Sequence, residues 1–264
     1  MKNIFNLLFA AAALASCSSS YDIQGTSDVQ NLDGHMMYLR ALQKDQVKNI
    51  DSCDVVHGQF AFRGNIDTVK VGALVINDES VLPVVLEEGE ITIKFNTTKQ
   101  TCTGTPLNDK LTDFIEKYNQ LTSQIADLSH QEAQAMMDGK DMSVVYRELQ
   151  QKSIALNEES DKHMTEFIEE NFDNVLGPFV FQMATSSMEL PMTNAWIDAL
   201  MVKATPTFKN DKYVKEFMEA ANHNQAVMTG MDEGTPQVPE VPEETKESAP
   251  PTPNEMANTN SKKD

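Results

Sequence analysis

The sequence of 264 residues predicts an α+β protein, in which an N-terminal antiparallel β-sandwich or open barrel is followed by an α-helical bundle. Two patterns support this prediction. Before residue 104, short alternations of apolar and polar residues are separated by turn residues, which is typical of the strands of a sandwich or barrel. After it, apolar residues recur at spacings of three and four, as they do on the buried face of a helix.

The change between the two patterns falls at Gly104-Thr105-Pro106. Just before it, the segment 91–95 places apolar side chains on one face of a strand, because every second residue is apolar. Just after it, Thr105 is predicted to cap a helix with its hydroxyl. Pro106 suits the first helical position, where the missing N–H costs nothing. The sheet is therefore predicted to end here and the first helix to begin.

The β part is predicted to contain seven strands and a further edge strand. They lie near residues 23–25, 35–42, 47–56, 59–63, 69–76, 82–86 and 91–95, with the edge strand at 101–103. Strands this close in sequence are joined by connections too short for a parallel crossover, so we expect antiparallel pairing throughout.

Five or six helices are predicted after Gly104-Thr105-Pro106, which we call the joint. They cover about 106–128, a short helix that follows, and then 143–171, 174–185, 191–202 and 210–227. The first helix is predicted to end at Leu128, because Ser129 with Glu132 three residues later forms a capping-box pattern that would begin the next helix.

Residues 1–20 are interpreted as a targeting segment and tether. The apolar run 4–14 is shorter than the roughly 20 residues that span a bilayer. The tetrapeptide Leu-Ala-Ser-Cys at 14–17 resembles the lipobox of bacterial lipoproteins. The resemblance implies that Cys17 is acylated, with palmitate as a typical chain, and becomes the mature N-terminus. The alternative is an ordinary secretory signal with a chance cysteine.

A net charge of −19 argues against nucleic acid or an anionic bilayer surface as a partner. We therefore expect membrane contact through the lipid anchor only, at the outer membrane and on its periplasmic face. The Pro- and Glu-rich C-terminal segment buries too little apolar surface to fold, and disorder is predicted there. The predicted organisation is 1–20 signal and tether, 21–104 β domain, 105–228 helical domain and 229–264 disordered tail.

Two further cysteines, Cys53 and Cys102, lie in the predicted β domain. A cell-envelope compartment is oxidising and permits a disulfide. Two interpretations stay open at this stage, a structural Cys53–Cys102 disulfide or two unpaired thiols. Because the sequence has no Cys-x-x-Cys, a thioredoxin-type redox site is not expected.

The sequence predicts no catalytic, cofactor-binding or metal-binding group of residues. The five histidines are scattered without metal-ligand spacing. Glu87, Glu88 and Glu90 cluster at a turn, where they could hold calcium or act as paired carboxylates, but a solvated turn is the favoured interpretation. Methionines are frequent after His130, and core packing is favoured over a binding surface or a copper(I) site.

Several short motifs occur together in the β part and at the joint. They are Tyr21-x-Ile23-x-Gly25, Tyr38-Leu39, Ile50-Asp51-Ser52, Gly58-Gln59-Phe60-x-Phe62-x-Gly64, Leu86-Glu87-x-Gly89-x-Ile91 and Gly104-Thr105-Pro106-Leu107-Asn108. In this combination the chain resembles domain-of-unknown-function family 4369 from Tyr21 to about Asp113. The resemblance implies a lipoprotein of a Gram-negative cell envelope and carries no assigned site residues. Members often continue into a thioredoxin-like domain of the AhpC/TSA type, whereas a Pro- and Glu-rich tail follows the helices here.

We therefore expect a non-enzymatic envelope lipoprotein that binds or scaffolds an envelope protein partner. The alternative is an accessory factor of an envelope thiol–disulfide exchange system, with a thioredoxin-like lipoprotein as its partner, which the resemblance alone suggests. A third hypothesis is an enzyme whose site is assembled from residues far apart in sequence.

Overall fold

The structure is a computed structural model that describes residues 19–29, 32–43, 46–96, 99–232 and 234–237. Within these residues eight strands precede six helices. The strands are β1 (Ser20–Ser27), β2 (Met36–Gln43), β3 (Gln46–Asp54), β4 (Gln59–Asn65), β5 (Lys70–Ile76), β6 (Glu79–Leu86), β7 (Gly89–Phe95) and β8 (Gln100–Thr103). The helices are α1 (Pro106–Met137), α2 (Met142–Glu170), α3 (Leu176–Thr185), α4 (Ala195–Lys203), α5 (Pro206–Lys209) and α6 (Lys212–Met228).

The strands form two four-stranded sheets, with orders β4-β1-β7-β8 and β3-β2-β5-β6. Their inner faces share one apolar core, which includes Ile23, Leu39, Phe62 and Ile93. β3 and β4 are consecutive and lie side by side, whereas β6 and β8 each end their own sheet. The fold is therefore an open sandwich followed by helices, which confirms the predicted α+β class.

One strand pairing differs from the expected antiparallel arrangement. β1 runs parallel to β7, with Ile23 opposite Ile91 and Gly25 opposite Ile93. The other described ladders between named strands are antiparallel. The expectation failed because it considered only neighbouring strands. β1 and β7 are separated by the whole second sheet, which leaves ample chain for a parallel crossover.

The alternation within strands is confirmed where one sheet face meets the core. In β2, Met37 and Leu39 are fully buried between more exposed neighbours. The turn at Asn77-Asp78 is also confirmed, because both residues have positive φ, as the tightest hairpin turns require. Strands β5 and β6 are buried on both faces, since the outer side chain of Val85 packs into the helical core.

The first two helices form a long antiparallel pair. α1 has 32 residues and is therefore about 48 Å long. The predicted helix end at Leu128 is wrong, because the apolar stripe through Leu121 and Leu128 continues in phase to Ala135, so that Ser129 lies mid-helix. The predicted break near Gly139 is confirmed. The side chain of Asp141 accepts from the N–H of Ser143 and caps α2.

The remaining helices pack around a cluster of aromatic rings. Phe181 of α3 makes edge-to-face contacts with Phe208 and Phe217, whose ring centroids lie 5.6 and 5.3 Å away, and it stacks on Trp196. Edge-to-face contacts add to the free energy of burying such large side chains. Among the described helices, none combines the length and the apolar character that crossing a bilayer would require.

Candidate binding cleft at the sheet–helix joint

The joint between sheet and helix begins with a glycine that the geometry requires. Gly104 has φ +105°, and a Cβ at this position would lie 2.6 Å from the Glu90 carbonyl oxygen. Its N–H donates to Asp109 Oδ1 over 2.8 Å. The backbone can therefore reverse against β7 and enter α1 directly, as the sequence predicted.

The cap of α1 comes from the sheet rather than from Thr105. Glu87 Oε1 accepts from the N–H groups of Leu107 (2.8 Å) and Asn108 (3.1 Å). Thr105 occupies the N-cap position without capping the helix, because its hydroxyl accepts from Asn108 Nδ2 instead. A carboxylate placed at a helix N-terminus satisfies free amides and complements the helix dipole.

This use of Glu87 corrects the favoured interpretation of the glutamate cluster. Glu87 is 8% exposed and belongs to the joint, whereas Glu88 and Glu90 are exposed. Within the described part of the chain, no group of three or more His, Cys, Asp or Glu side chains is arranged to hold a metal ion. Glu87 therefore differs in role from its two neighbours.

Asn108 connects α1 to the open edge of the second sheet. Its side chain is fully buried, its Nδ2 donates to the Val85 carbonyl (2.8 Å), and its Oδ1 accepts from the Val85 N–H (2.8 Å). The amide thus pairs with edge strand β6 as a neighbouring strand would. Nδ2 also donates to the Thr105 hydroxyl, and the Cys102 thiol donates to Oδ1 over 3.0 Å.

Thr112, one turn further along α1, does the same for the edge of the first sheet. Its hydroxyl donates to the Cys102 carbonyl (2.5 Å) and accepts from the Cys102 N–H (3.2 Å). A hydroxyl can do both because it carries a donor and two lone pairs. Asn108 and Thr112 therefore bind β6 and β8 to one face of one helix, and we call this pair of contacts the edge clamp.

The sequence of β6 further limits pairing at its open edge. Pro83 lies two residues before Val85 and directs its main chain to the same side, but it has no N–H to offer. A register shift leaves Val81 outside the ladder with β5. Proline and bulges are common ways in which an edge strand is protected from unwanted strand addition.

A cleft of about 1050 Å³ lies beside the edge clamp. One wall is β6 at Val81–Pro83, the second is the end of β7 with the start of β8, and the third is the face of α1 from Asp113 to Gln120. Lys99 and Glu116 form an ion pair (2.5 Å) that joins the β7–β8 connection to α1. The lining combines aliphatic side chains, amides and charges of both signs.

The two cysteines are free thiols in this structure. Cys53 lies on β3, at the side of the sandwich that β3 and β4 form, whereas Cys102 lies on β8 at the opposite edge of the first sheet. Cys53 and Cys102 are therefore not bonded to each other in this structure. Cys17, the predicted lipid-attachment residue, lies outside the described residues.

Burial makes both thiols poor nucleophiles. It raises the pKa of Cys102 to about 12, with further increases from the nearby carboxylates of Asp109 and Glu87. Burial also raises the pKa of Cys53, and Asp51 and Asp54 act in the same direction. Because the thiolate is the reactive form, neither environment promotes thiol exchange.

His35, His57 and His130 are exposed, whereas His163 and several methionines pack in the helical part. His163 stacks on Phe114 with ring centroids 4.9 Å apart, and its Nε2 lies 3.2 Å from the Phe114 carbonyl. Several methionines, among them Met164 and Met183, pack against the helical core, whereas Met137 is 76% exposed near the tip of the α1–α2 pair.

The edge clamp was missed in the sequence, although one signal was present. Asn108 and Thr112 are four residues apart on the side of α1 that also carries Leu111. Polar residues on a stripe that should face the core require partners inside it. That signal marks both residues as buried and bonded, but their partners on β6 and β8 follow only from the strand order.

The fold and the site define a class of protein, an open sandwich whose free edges are bound by the first helix of a helical domain. Residues 21–111 match the family profile of a domain of unknown function (DUF4369), so this part of the chain is a DUF4369 domain. The match ends at Leu111 and thus includes Asn108 and the joint. No curated protein and no solved structure matches the chain.

Proposed function

We propose that this protein is a non-catalytic lipoprotein of the cell envelope that binds a partner protein in the cleft between its two sheet edges and α1. The observation that carries the proposal is the construction of the cleft, which takes its walls from the DUF4369 domain and from the part of α1 that lies beyond it. A segment bound there would contact both parts of the chain at once.

The chemistry of the walls favours a polypeptide over a small cofactor. Val81, Leu82 and Ile115 offer apolar contacts, whereas Asn119 and Gln120 offer amides at the exposed rim. The clamp and Pro83 leave little of the β6 edge for strand pairing, so we expect recognition through side chains. Surface ion pairs such as Lys99–Glu116 contribute little stability, and they can therefore open at low cost.

The location follows from the predicted lipid anchor. Acylation of Cys17 would hold the cleft near the outer membrane, with the periplasmic face as the expected side. Mass spectrometry of the mature N-terminus tests this directly. We expect a diacyl or triacyl modification on Cys17, and Cys17→Ser should release the protein from the membrane fraction. An unmodified N-terminus would refute the lipid anchor without bearing on the cleft.

Site-specific photo-crosslinking tests the cleft. A photoreactive amino acid at Gln120 lies at the rim, and the same amino acid at Gln151 on α2 is a matched control, because both glutamines are exposed on long helices. In intact cells we expect a discrete adduct from position 120 that is absent at position 151. Identical adduct patterns at the two positions, or none at 120, would contradict the proposal.

The alternative function, an accessory role in envelope thiol–disulfide exchange, is favoured only by the family context. The raised pKa values of Cys53 and Cys102 argue against these thiols as the exchanging groups. A thioredoxin-like lipoprotein therefore remains a candidate for the partner in the cleft. Recovery of such a protein in the position 120 adduct, unchanged in a Cys53→Ser and Cys102→Ser variant, would support binding without exchange.

A further inference from the structure

The chain reverses after α6 and places a short extended segment against that helix. Gly230 has φ +72°, and Gly234–Gln237 then lie alongside α6. We call Asp232 with Gly234–Gln237 the strap. Disorder was predicted from residue 229 onward, but these residues have defined contacts, because two side chains of α6 bind them.

Asn224 binds the main chain of the strap at one residue. Its side chain is fully buried, its Nδ2 donates to the Gln237 carbonyl (2.7 Å), and its Oδ1 accepts from the Gln237 N–H (2.6 Å). Nδ2 also donates to the Pro191 carbonyl over 2.9 Å. Without the strap, the Asn224 amide would lose two of its three hydrogen bonds, and water or another main-chain segment would take their place.

His223, the residue before Asn224, binds the other end of the strap. Its Nε2 lies 3.0 Å from the Thr235 carbonyl, and its Nδ1 lies 3.2 Å from Asp232 Oδ2. Gly234 packs so closely on the imidazole that a Cβ there would lie 2.8 Å from Cε1 of the ring. The strap is thus held by the carboxylate of Asp232, by the absence of a side chain at Gly234 and by main-chain groups of Thr235 and Gln237.

His223, Asn224 and Pro191 form a groove on and beside α6 that contacts main-chain groups of the strap. Most strap side chains lie outside this groove. Thr235, Pro236 and Gln237 are all exposed. Pro236 lies between the two bound residues, where it has no N–H to satisfy and favours an extended conformation for its neighbour. Any extended segment with a proline in the middle and an acidic residue ahead of a glycine would present the same groups.

We infer that the groove formed by His223, Asn224 and Pro191 is a binding site for an extended, acidic, proline-containing segment of a partner protein, and that the strap occupies it as an internal competitor. The groove lies on α6 and the cleft on α1 and the sheet edges, so the two sites are separate. The inference therefore stands or falls independently of the proposed function.

The test uses the full-length protein and a synthetic peptide with the sequence of residues 232–243. Gln237→Pro removes the N–H that Asn224 accepts and should release the strap without touching the helical core. Gln237→Ala is the control, because it keeps the main chain and leaves the strap bound. We expect the Gln237→Pro protein to bind the labelled peptide at least tenfold more tightly than the wild type, since an occupied groove lowers apparent affinity.

A second substitution identifies the groove as the place of binding. In the Gln237→Pro background, His223→Ala should weaken peptide binding at least tenfold, whereas Asn222→Ala, at an exposed position on the same helix, should leave it unchanged. Equal peptide binding by wild type and Gln237→Pro would overturn the inference, as would binding that survives His223→Ala. Concentration-dependent dimers of the wild type would assign the groove to the strap of a second copy and would also overturn it.

Discussion

Two fully buried asparagines bind main chain in the same way in this molecule, but in different surroundings. Asn108 pairs with the N–H and carbonyl of Val85, a buried residue of β6 whose side chain packs in the helical core. Asn224 pairs with the same two groups of Gln237, which is exposed. The partner of Asn108 can leave only if the joint opens, whereas that of Asn224 lies at the surface. We therefore expect the same pair of hydrogen bonds to be permanent at the joint and exchangeable at the strap.

The largest effect is expected at the permanent site. Asn108→Leu removes the partners of the Val85 N–H and carbonyl inside a buried joint. Each of these two orphaned groups costs about 1–3 kcal/mol, so the free energy of unfolding should fall by about 2–6 kcal/mol. Urea unfolding measures this. Asn119→Leu on the exposed side of α1 is the control and should change stability by less than about 0.5 kcal/mol. Similar losses for both variants would remove the basis of the comparison.

Thr112→Val tests the other half of the edge clamp with almost no change in volume. The Cys102 N–H and carbonyl would lose the hydroxyl that binds them, and we expect a loss of about 2 kcal/mol in the free energy of unfolding. Thr122→Val is the matched control, because the Thr122 hydroxyl bonds only to carbonyls of its own helix. If the Thr112 variant is as stable as the Thr122 variant, the clamp does not hold the β8 edge.

The Cys102 thiol gives the stability of the joint a pH dependence. The folded pKa is raised to about 12 from an ordinary value of 9.0. The stabilisation that the protonated Cys102 thiol contributes is therefore complete below pH 9. It is lost as pH rises from about 9 towards 12, because the unfolded chain then releases a proton that the folded chain keeps. At pH 10 the loss is about 1.4 kcal/mol.

Cys102→Ser keeps a hydrogen-bond donor for Asn108 Oδ1 but does not titrate in this range. Chemical unfolding of both proteins at several pH values between 8 and 10.5 should therefore give a steeper loss of stability for the wild type. Equal slopes would show that the thiol is accessible to water and that the joint is looser than the hydrogen bonds indicate.

The smallest effect on global stability is expected at the exchangeable site. Gln237→Pro should change the free energy of unfolding by less than about 0.5 kcal/mol, because the strap is at the surface and opens without the core. Its effect should instead be local, as faster proteolysis after α6. A loss comparable to that of Asn108→Leu would place the strap among the parts that hold the fold together.

Strands, turns and helix ends could be predicted from the sequence where residues close together in the chain determine them. The turn at Asn77-Asp78, the alternation of β2 and the start of α1 at Pro106 each depend on residues within a few positions. The continuation of α1 past Ser129 could also have been read from the unbroken stripe to Ala135. The capping-box pattern at Ser129 and Glu132 predicts the wrong boundary, because the apolar stripe continues through it.

The parts that could not be predicted depend on contacts between distant residues. The parallel pairing of β1 with β7, the cap that Glu87 gives to α1 and the binding of Gln237 by Asn224 each join residues 13 or more positions apart. Composition correctly marks the C-terminal segment as poor in apolar residues. It cannot reveal that an asparagine on α6 binds main chain, since that contact needs no particular side chain from the strap.

Residue-resolved amide hydrogen exchange on the wild type and on Gly234→Val tests the central claim most directly. We expect the Val85 amide to exchange only through global unfolding, and the Gln237 amide to exchange through a local opening of much lower free energy. Gly234→Val, whose side chain would clash with His223, should abolish protection at Gln237 and leave Val85 unchanged. Exchange of both amides with the same free energy, or loss of protection at both in the variant, would contradict the account.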